Sequence, residues 1–460
     1  MLIYNTQSQR KELFKAINSE SVTMYTCGPT VYSSPHIGNM RAYVHADLIK
    51  TILIDDGYIV NHVINITDVG HLTSDADIGD DKMEKQAIKE GVKSFEIAKK
   101  YEKEFLDDME ALNISLPTHM PRATEYIKEQ INLIKLLEEK EYTYKTSDGV
   151  YFNTLKIKNY ADIAQIGKEG IIEGFRVDMG EKKNGTDFAL WKFSPKQTKR
   201  DMEWNSPWGL GFPGWHIECS AMAKSLLGKH IDIHTGGIDH IHVHHAAEIA
   251  QSTAAHNQTM ANYWSHVNFL LTDEKMSKSK GNIITVENLK DKGIDPMVLK
   301  FFYYLSHYRS ELSFSMDLKN IEKAKKSYLN LNKKSIALLK EENNKTYVNF
   351  DIIKRFGEIL RDDLNTPMAL AFVFTTLKDE TINNLTKLEL MKKLDSILKL
   401  NIFSSFENEI PPYILKLAEK RWLLKIEKKW KEADKTRKEI ESNGYTIEDT
   451  KDKYKIRQTE

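Results

Sequence analysis

Val22-Thr23-Met24-Tyr25-Thr26-Cys27-Gly28 alternates along its length and ends at Gly28-Pro29. The alternation is that of a β-strand, and the Gly-Pro pair marks a turn. A loop, Thr30-Val31-Tyr32-Ser33-Ser34-Pro35, leads to His36-Ile37-Gly38-Asn39-Met40-Arg41. A helix is predicted from there to about Asp56, with Ala42, His45, Leu48, Ile49 and Ile52 at helical spacing and Gly57 as its stop. Residues 58–68, from Tyr58 to Asp68, read as a second strand. Strand–helix–strand over this length is a βαβ unit, so the sheet should be parallel. Ligands of such sheets sit at the carboxyl ends of the strands. Cys27 and Thr67 both lie at such ends.

Working outward, His230–Gly237 and Tyr263–Leu271 read as further strands, and the segment Trp215 to Cys219 is expected to rejoin the sheet. Residues 82–112 read as charged helices, with a break at Pro117 and Pro121. Ile127, Ile131, Ile134 and Leu137 form an amphipathic stripe of the kind that packs on a core. Residues 142–152 predict a hairpin turning near Asp148-Gly149. From about residue 296 the pattern is helical to the end, with Ile321, Ala324, Tyr328 and Leu331 on one stripe. A late helix is predicted from Lys416 to Ile440, stopping near Asn443-Gly444. The expected fold class is α/β: a parallel-sheet domain split by an α+β insertion, then a C-terminal α-helical bundle. The expected divisions are 1–112 and 201–268 for the two halves of the sheet domain and 113–200 for the insertion. A connecting region over 269–315 and a helical region over 316–460 complete the chain.

The 460 residues are 41% hydrophobic with a formal net charge of zero, so no global electrostatic argument for a polyanion exists and any such partner must meet a local patch. The first residues show no apolar signal segment, and no stretch approaches the roughly 18 apolar residues of a membrane span. A cytoplasmic location is expected.

His240-Ile241-His242-Val243-His244-His245-Ala246-Ala247-Glu248 places four histidines in six residues. Imidazole and carboxylate are both zinc ligands, and His244 and Glu248 at helical spacing would share one face. The only two cysteines are Cys27, followed by Gly28-Pro29, and Cys219, five residues after Pro213-Gly214. One reading folds both onto this cluster as a single zinc site. Buried apolar thiols or a Cys27–Cys219 disulfide are the alternatives, the latter disfavoured without a secretory context. Lys275-Met276-Ser277-Lys278-Ser279-Lys280-Gly281-Asn282 suits a loop that closes on phosphates; an exposed basic turn is the plain alternative.

His36-Ile37-Gly38-Asn39 and Lys275-Met276-Ser277-Lys278-Ser279 together, in this order, resemble the two signatures of the class I aminoacyl-tRNA synthetases. Thr26–Tyr32, Gly214–Met222 and His244-His245 with Glu248–Gln251 narrow the resemblance to the cysteinyl-tRNA synthetase family, over nearly the whole chain. It implies a Rossmann-like catalytic domain and one Zn²⁺ per chain on Cys27, Cys219, His244 and Glu248. It implies that His36, Gly38, Asn39 and Lys278 bind ATP, with His36, Asn39, Lys275 and Lys278 as the catalytic set and Mg²⁺ accompanying the nucleotide. Trp215 would wall the cysteine pocket, and Thr67 and Asp239 would contact the amino acid. The implied partners are ATP, L-cysteine and tRNA(Cys), with no membrane, and the enzyme is expected to be a monomer. The nearest alternative is a paralogue joining cysteine to an amino-sugar by the same adenylate chemistry, which lacks a full C-terminal RNA-binding region. This chain departs from many members at Val243 and Ala246-Ala247, which alters polarity around the metal ligands but not the ligands themselves.

Overall fold

The structure is a computed structural model that describes residues 1–70, 81–163, 181–195, 200–273, 283–340, 347–404, 412–449 and 453–458. A four-stranded sheet stands at its centre. Its strands are β1 (Ser21–Thr26), β2 (Ile59–Ile64), β3 (Ile231–Gly237) and β4 (Ala261–Val267), in the order β4-β3-β1-β2. All three pairings are parallel: Met24 lies opposite His62 on one side and Ile233 on the other, and Ile233 in turn opposite Tyr263. Parallel strands are covered on both faces and read as near-continuous apolar runs. Accordingly Val22, Met24, Tyr25, Ile231 and Ile233 are fully buried.

Helix α1 (Ile37–Asp55) makes the crossover from β1 to β2. It is buried almost all round, including Arg41, His45, Asp47 and Lys50, while Ala42 is only half-buried. Its start is fixed by a reciprocal cap. His36 Nδ1 accepts the Asn39 backbone N–H at 3.1 Å, and Asn39 Oδ1 accepts the His36 N–H at 3.1 Å.

Two further helices carry the site. Trp215–Leu227 forms α2, not the strand expected for Trp215 to Cys219. Gly214 precedes it in extended conformation, and a side chain there would collide with the Ala189 carbonyl. Ile217, Ala221 and neighbouring residues are buried on nearly every side, so no amphipathic period betrayed the helix. His244–His256 forms α3, closed by Asn257 in the left-handed conformation.

A five-stranded antiparallel sheet, built from segments Thr143–Lys145 through Gly209–Pro213, is inserted in sequence between the first two and the last two strands of the parallel sheet. In the helix Ile127–Glu139, Leu133, Ile134 and Leu137 are buried, with Ile127 and Ile131 packed at the margin. After Leu312–Phe314 the chain is largely helical, and Ile321, Ala324, Tyr328 and Leu331 are buried as their stripe predicts. The single late helix is instead two, Pro412–Ile426 and Trp430–Ser442, separated where Lys428 takes φ 59°. Nor is the chain helical to its end: Tyr445–Asp449 and Tyr454–Gln458 pair as an antiparallel hairpin. Among the described residues no helix is long and apolar enough to cross a membrane.

Candidate active site and metal centre

The carboxyl ends of β1, β2 and β3 open into one cleft of about 500 Å³. Cys27 follows β1 directly, and its backbone N–H donates to the Thr235 carbonyl of β3 at 3.1 Å. Gly28 follows because the chain passes so close to β2 that a β-carbon would run into the Asn65 carbonyl oxygen. Asn65 answers with its side chain. Its Oδ1 accepts the Gly28 N–H at 2.8 Å, and its Nδ2 donates to Thr67 Oγ1 at 3.0 Å. Thr67 Oγ1 in turn donates to Glu218 Oε2 at 3.1 Å, which ties β2 to α2.

Cys219 comes from the second turn of α2, and His244 and Glu248 from the first turns of α3. One donor atom from each of Cys27, Cys219, His244 and Glu248 lies within 4.8 Å of the others, and all four residues are buried. Both cysteines are free thiols, so the disulfide alternative falls. A second group, Cys27, His234, His245 and Glu248, meets the same limit and shares two members with the first. The groups differ in access: Cys27, Cys219 and His244 line the cleft, whereas His234 and His245 do not.

The donor set fits a cation. Glu248 is fully buried, yet among the described residues neither carboxylate oxygen has an aligned hydrogen-bond donor. Its near neighbours are ring nitrogens, His234 Nε2 at 3.0 Å and His244 Nε2 at 3.4 Å. A buried ionised carboxylate left short of aligned donors is costly, and a bound cation would offset that cost. Burial alone would raise the Glu248 carboxyl, but His234 and His244 hold it well below the usual carboxylate range. For His244, burial opposes charge while Glu248 and Cys219 lift it to about 10. The two thiols diverge. Contact with Cys27 leads in bringing Cys219 down to about 6, against burial and with help from His244; burial pushes Cys27 up. The site thus favours a thiolate at Cys219, the form that binds metal.

Partners orient these ligands from behind. His244 Nδ1 lies 3.0 Å from His216 Nδ1, and Trp215 packs on the His244 ring at 4.5 Å between centroids. His245 sets Nε2 3.3 Å from Cys27 Sγ and Nδ1 2.7 Å from His266 Nε2. Sequence reasoning placed His245 in the histidine cluster without giving it a role, and it missed His234, His216, Asn65 and Glu218 as members of this environment. Of those missed, His234 carried a readable signal, its place near the carboxyl end of a strand ending in Gly236-Gly237.

The remaining predicted residues gather at the same cleft. His36, Gly38 and Asn39 line one end, at the N-terminus of α1. Thr67, half-buried Trp215 and exposed Asp239 line the other, beside Cys27, Cys219 and His244. Glu248 lies beneath the floor. Lys275 and Lys278 lie outside the described residues. The dipole at a helix N-terminus favours anions, so the cleft has an anion-favouring end and a soft-ligand end.

Comparison with known proteins identifies the family. The sequence pattern of the family described as tRNA synthetases class I (C) catalytic domain matches residues 13–326. Cysteine–tRNA ligase 1 of Burkholderia lata is 42% identical over 98% of this chain and 95% of its own length. Cysteine–tRNA ligase of Treponema denticola is 38% identical, over 97% of each chain. Among solved structures, Mycobacterium tuberculosis methionyl-tRNA synthetase in complex with methionyl-adenylate superposes with a TM-score of 0.58 at 15% identity, over 83% of this chain and 90% of that one, a likeness of fold. A class I catalytic-domain pattern over more than half its length, and full-length relatives at this identity, make the chain a member of the class I aminoacyl-tRNA synthetases, in the cysteine–tRNA ligase family.

Proposed function

We propose that the chain activates L-cysteine with ATP to cysteinyl-adenylate and transfers the cysteinyl group to the 3′ end of tRNA(Cys). One observation carries the reading: a buried group of two thiols, one imidazole and one carboxylate at the floor of a cleft whose far end is a capped helix N-terminus. Cys27, Cys219, His244 and Glu248 would hold a zinc ion; when bound, zinc supplies a soft Lewis acid that favours a thiolate over a hydroxyl. That preference separates cysteine from serine, which a purely apolar pocket rejects weakly. The lining by Cys27, Cys219 and His244 favours this group over the one with His234 and His245, which a substrate sulfur entering the cleft does not meet.

The protein's own residues divide the remaining work. Thr67 and Asp239 would contact the amino acid's ammonium and backbone, and Trp215 would wall its pocket. His36 and Asn39, with the dipole at the start of α1, would stabilise charge developing on the ATP phosphates. Gly38 gives the nucleotide close access to backbone. Lys275 and Lys278 would add cations to the triphosphate, and Mg²⁺ is expected with ATP. The helices and terminal hairpin beyond residue 316 would receive the tRNA, with an affinity that falls as salt rises.

The test is cysteine-dependent ATP–pyrophosphate exchange together with charging of tRNA(Cys). Both activities are expected. Exchange without charging would favour ligation of cysteine to an amino-sugar, and neither would reduce the chain to a binding module. Metal analysis of the purified protein is expected to give one zinc per chain; active, metal-free protein would overturn the zinc reading.

A further inference from the structure

We infer that Arg41 is a positioning residue for the nucleotide end of the cleft, its guanidinium pinning the wall Val267–Leu270 against the N-terminus of α1. The inference rests on the reading that this end receives ATP. Arg41 lies on α1 just past His36 and Asn39 and is only 2% exposed. Nη1 donates to the carbonyls of Asn268 at 2.8 Å and Phe269 at 2.9 Å. Nη2 donates to the carbonyls of His307 at 3.2 Å and Ser310 at 2.9 Å. All four terminal N–H groups therefore end on backbone oxygen, and among the described residues no carboxylate pairs with the group. A buried cation without a counter-ion is an expensive way to fill space. A planar fork that grips two chain segments at once is something only arginine supplies.

One of the two gripped segments is a wall of the cleft and the other backs it. Val267, Asn268, Phe269 and Leu270 all line the cleft. They are bound to the 307–312 segment as well: the Asn268 N–H donates to the Tyr308 carbonyl at 2.8 Å, and the Leu312 N–H to the Phe269 carbonyl at 3.0 Å. Leu270 stands next to Gly38, with its Cβ 3.7 Å from where a β-carbon of Gly38 would lie. The Ile37 N–H donates to the Ile284 carbonyl at 2.9 Å. One helix thus presents His36, Gly38 and Asn39 and, a turn later, holds the wall facing them. Burial lowers the Arg41 guanidinium to about 10, so it remains charged at neutral pH.

Arg41→Lys keeps the charge and the stem, but a single nitrogen does not span both segments. In ATP–pyrophosphate exchange, KM for ATP is expected to rise roughly 10-fold or more, as a small displacement of a binding wall does, while KM for cysteine and metal content stay near wild type. Added guanidinium is expected to restore part of the activity lost in Arg41→Ala. Unchanged KM for ATP, or equal changes in KM for both substrates, would overturn the inference. If Arg41→Ala fails to fold, Arg41→Lys assayed well below its unfolding midpoint decides. A wild-type enzyme without cysteine-dependent exchange would instead sink the underlying reading, and this inference with it.

Discussion

Glu248 and Asp363 are both fully buried carboxylates, one beneath the cleft and one where the N-terminal segment meets the helical region. Asp363 is saturated. Its Oδ1 accepts from the Tyr4 N–H at 2.9 Å and the Tyr308 hydroxyl at 2.7 Å, and its Oδ2 takes the Arg309 guanidinium at 2.9 and 2.7 Å. Among the described residues Glu248 has no aligned donor on either oxygen and instead faces imidazoles and two thiols. Buried polar groups are almost always paired. A carboxylate with its full complement holds parts of the fold together, whereas one left short beside other metal-binding groups is reserved for something that arrives.

That contrast can be broken in four ways. The largest effect is expected from Cys219→Ala. Metal should be lost, and cysteine-dependent exchange should fall by about 10³-fold or more, with the helical content by circular dichroism intact. Full metal retention would place the ion with His234 and His245 and undo the division between the two groups. Next, Asp363→Ala should leave bound metal unchanged but cost about 3 kcal/mol in urea unfolding, because Arg309 and the Tyr308 hydroxyl lose their acceptor. A loss within error would mean that saturation does not make a carboxylate structural. Third, Lys278→Ala should retain metal and slow exchange by about 10²-fold; a normal rate would remove this lysine from the phosphate end.

The smallest effect concerns a carboxyl that is neither saturated nor at the cleft. Burial, with Glu104 and Glu287 adding to it, pushes Asp108 up to about 7 from its ordinary 3.8. Below the ordinary value both folded and unfolded chains hold this proton. As pH rises through that value towards 7, the unfolded chain releases the proton and the folded chain resists, so stability falls across this window. Asp108→Asn should therefore raise the unfolding midpoint at pH 8 by about 1–2 °C and change nothing near pH 3. The same gain at both pH values would mean that Asp108 acts through packing.

The βαβ unit was legible because its signals are local: alternation, a Gly-Pro turn and Gly57 after the helix. His244 and Glu248 were legible for the same reason, since one helical turn separates them. Trp215–Cys219 misled because β-forming side chains on a helix buried all round mimic a strand. The break at Lys428 has neither glycine nor proline to announce it, and the terminal hairpin is hidden among charges. Asn65 and Glu218 belong to the site through hydrogen bonds that join residues more than thirty positions apart. No periodicity encodes such meetings; only the packed sheet brings them about. The lysines of the second signature lie outside the described residues, so their place beside His36 and Asn39 rests on resemblance.

The missing side chain at Gly28 has a consequence for how this protein tolerates change. Any larger residue there must push the first and second strands apart at the point where a sulfur atom is held in register. The damage would fall on the placement of one ligand before it reached the rest of the core. An apparently conservative alanine at this position should yield protein that purifies well and discriminates poorly.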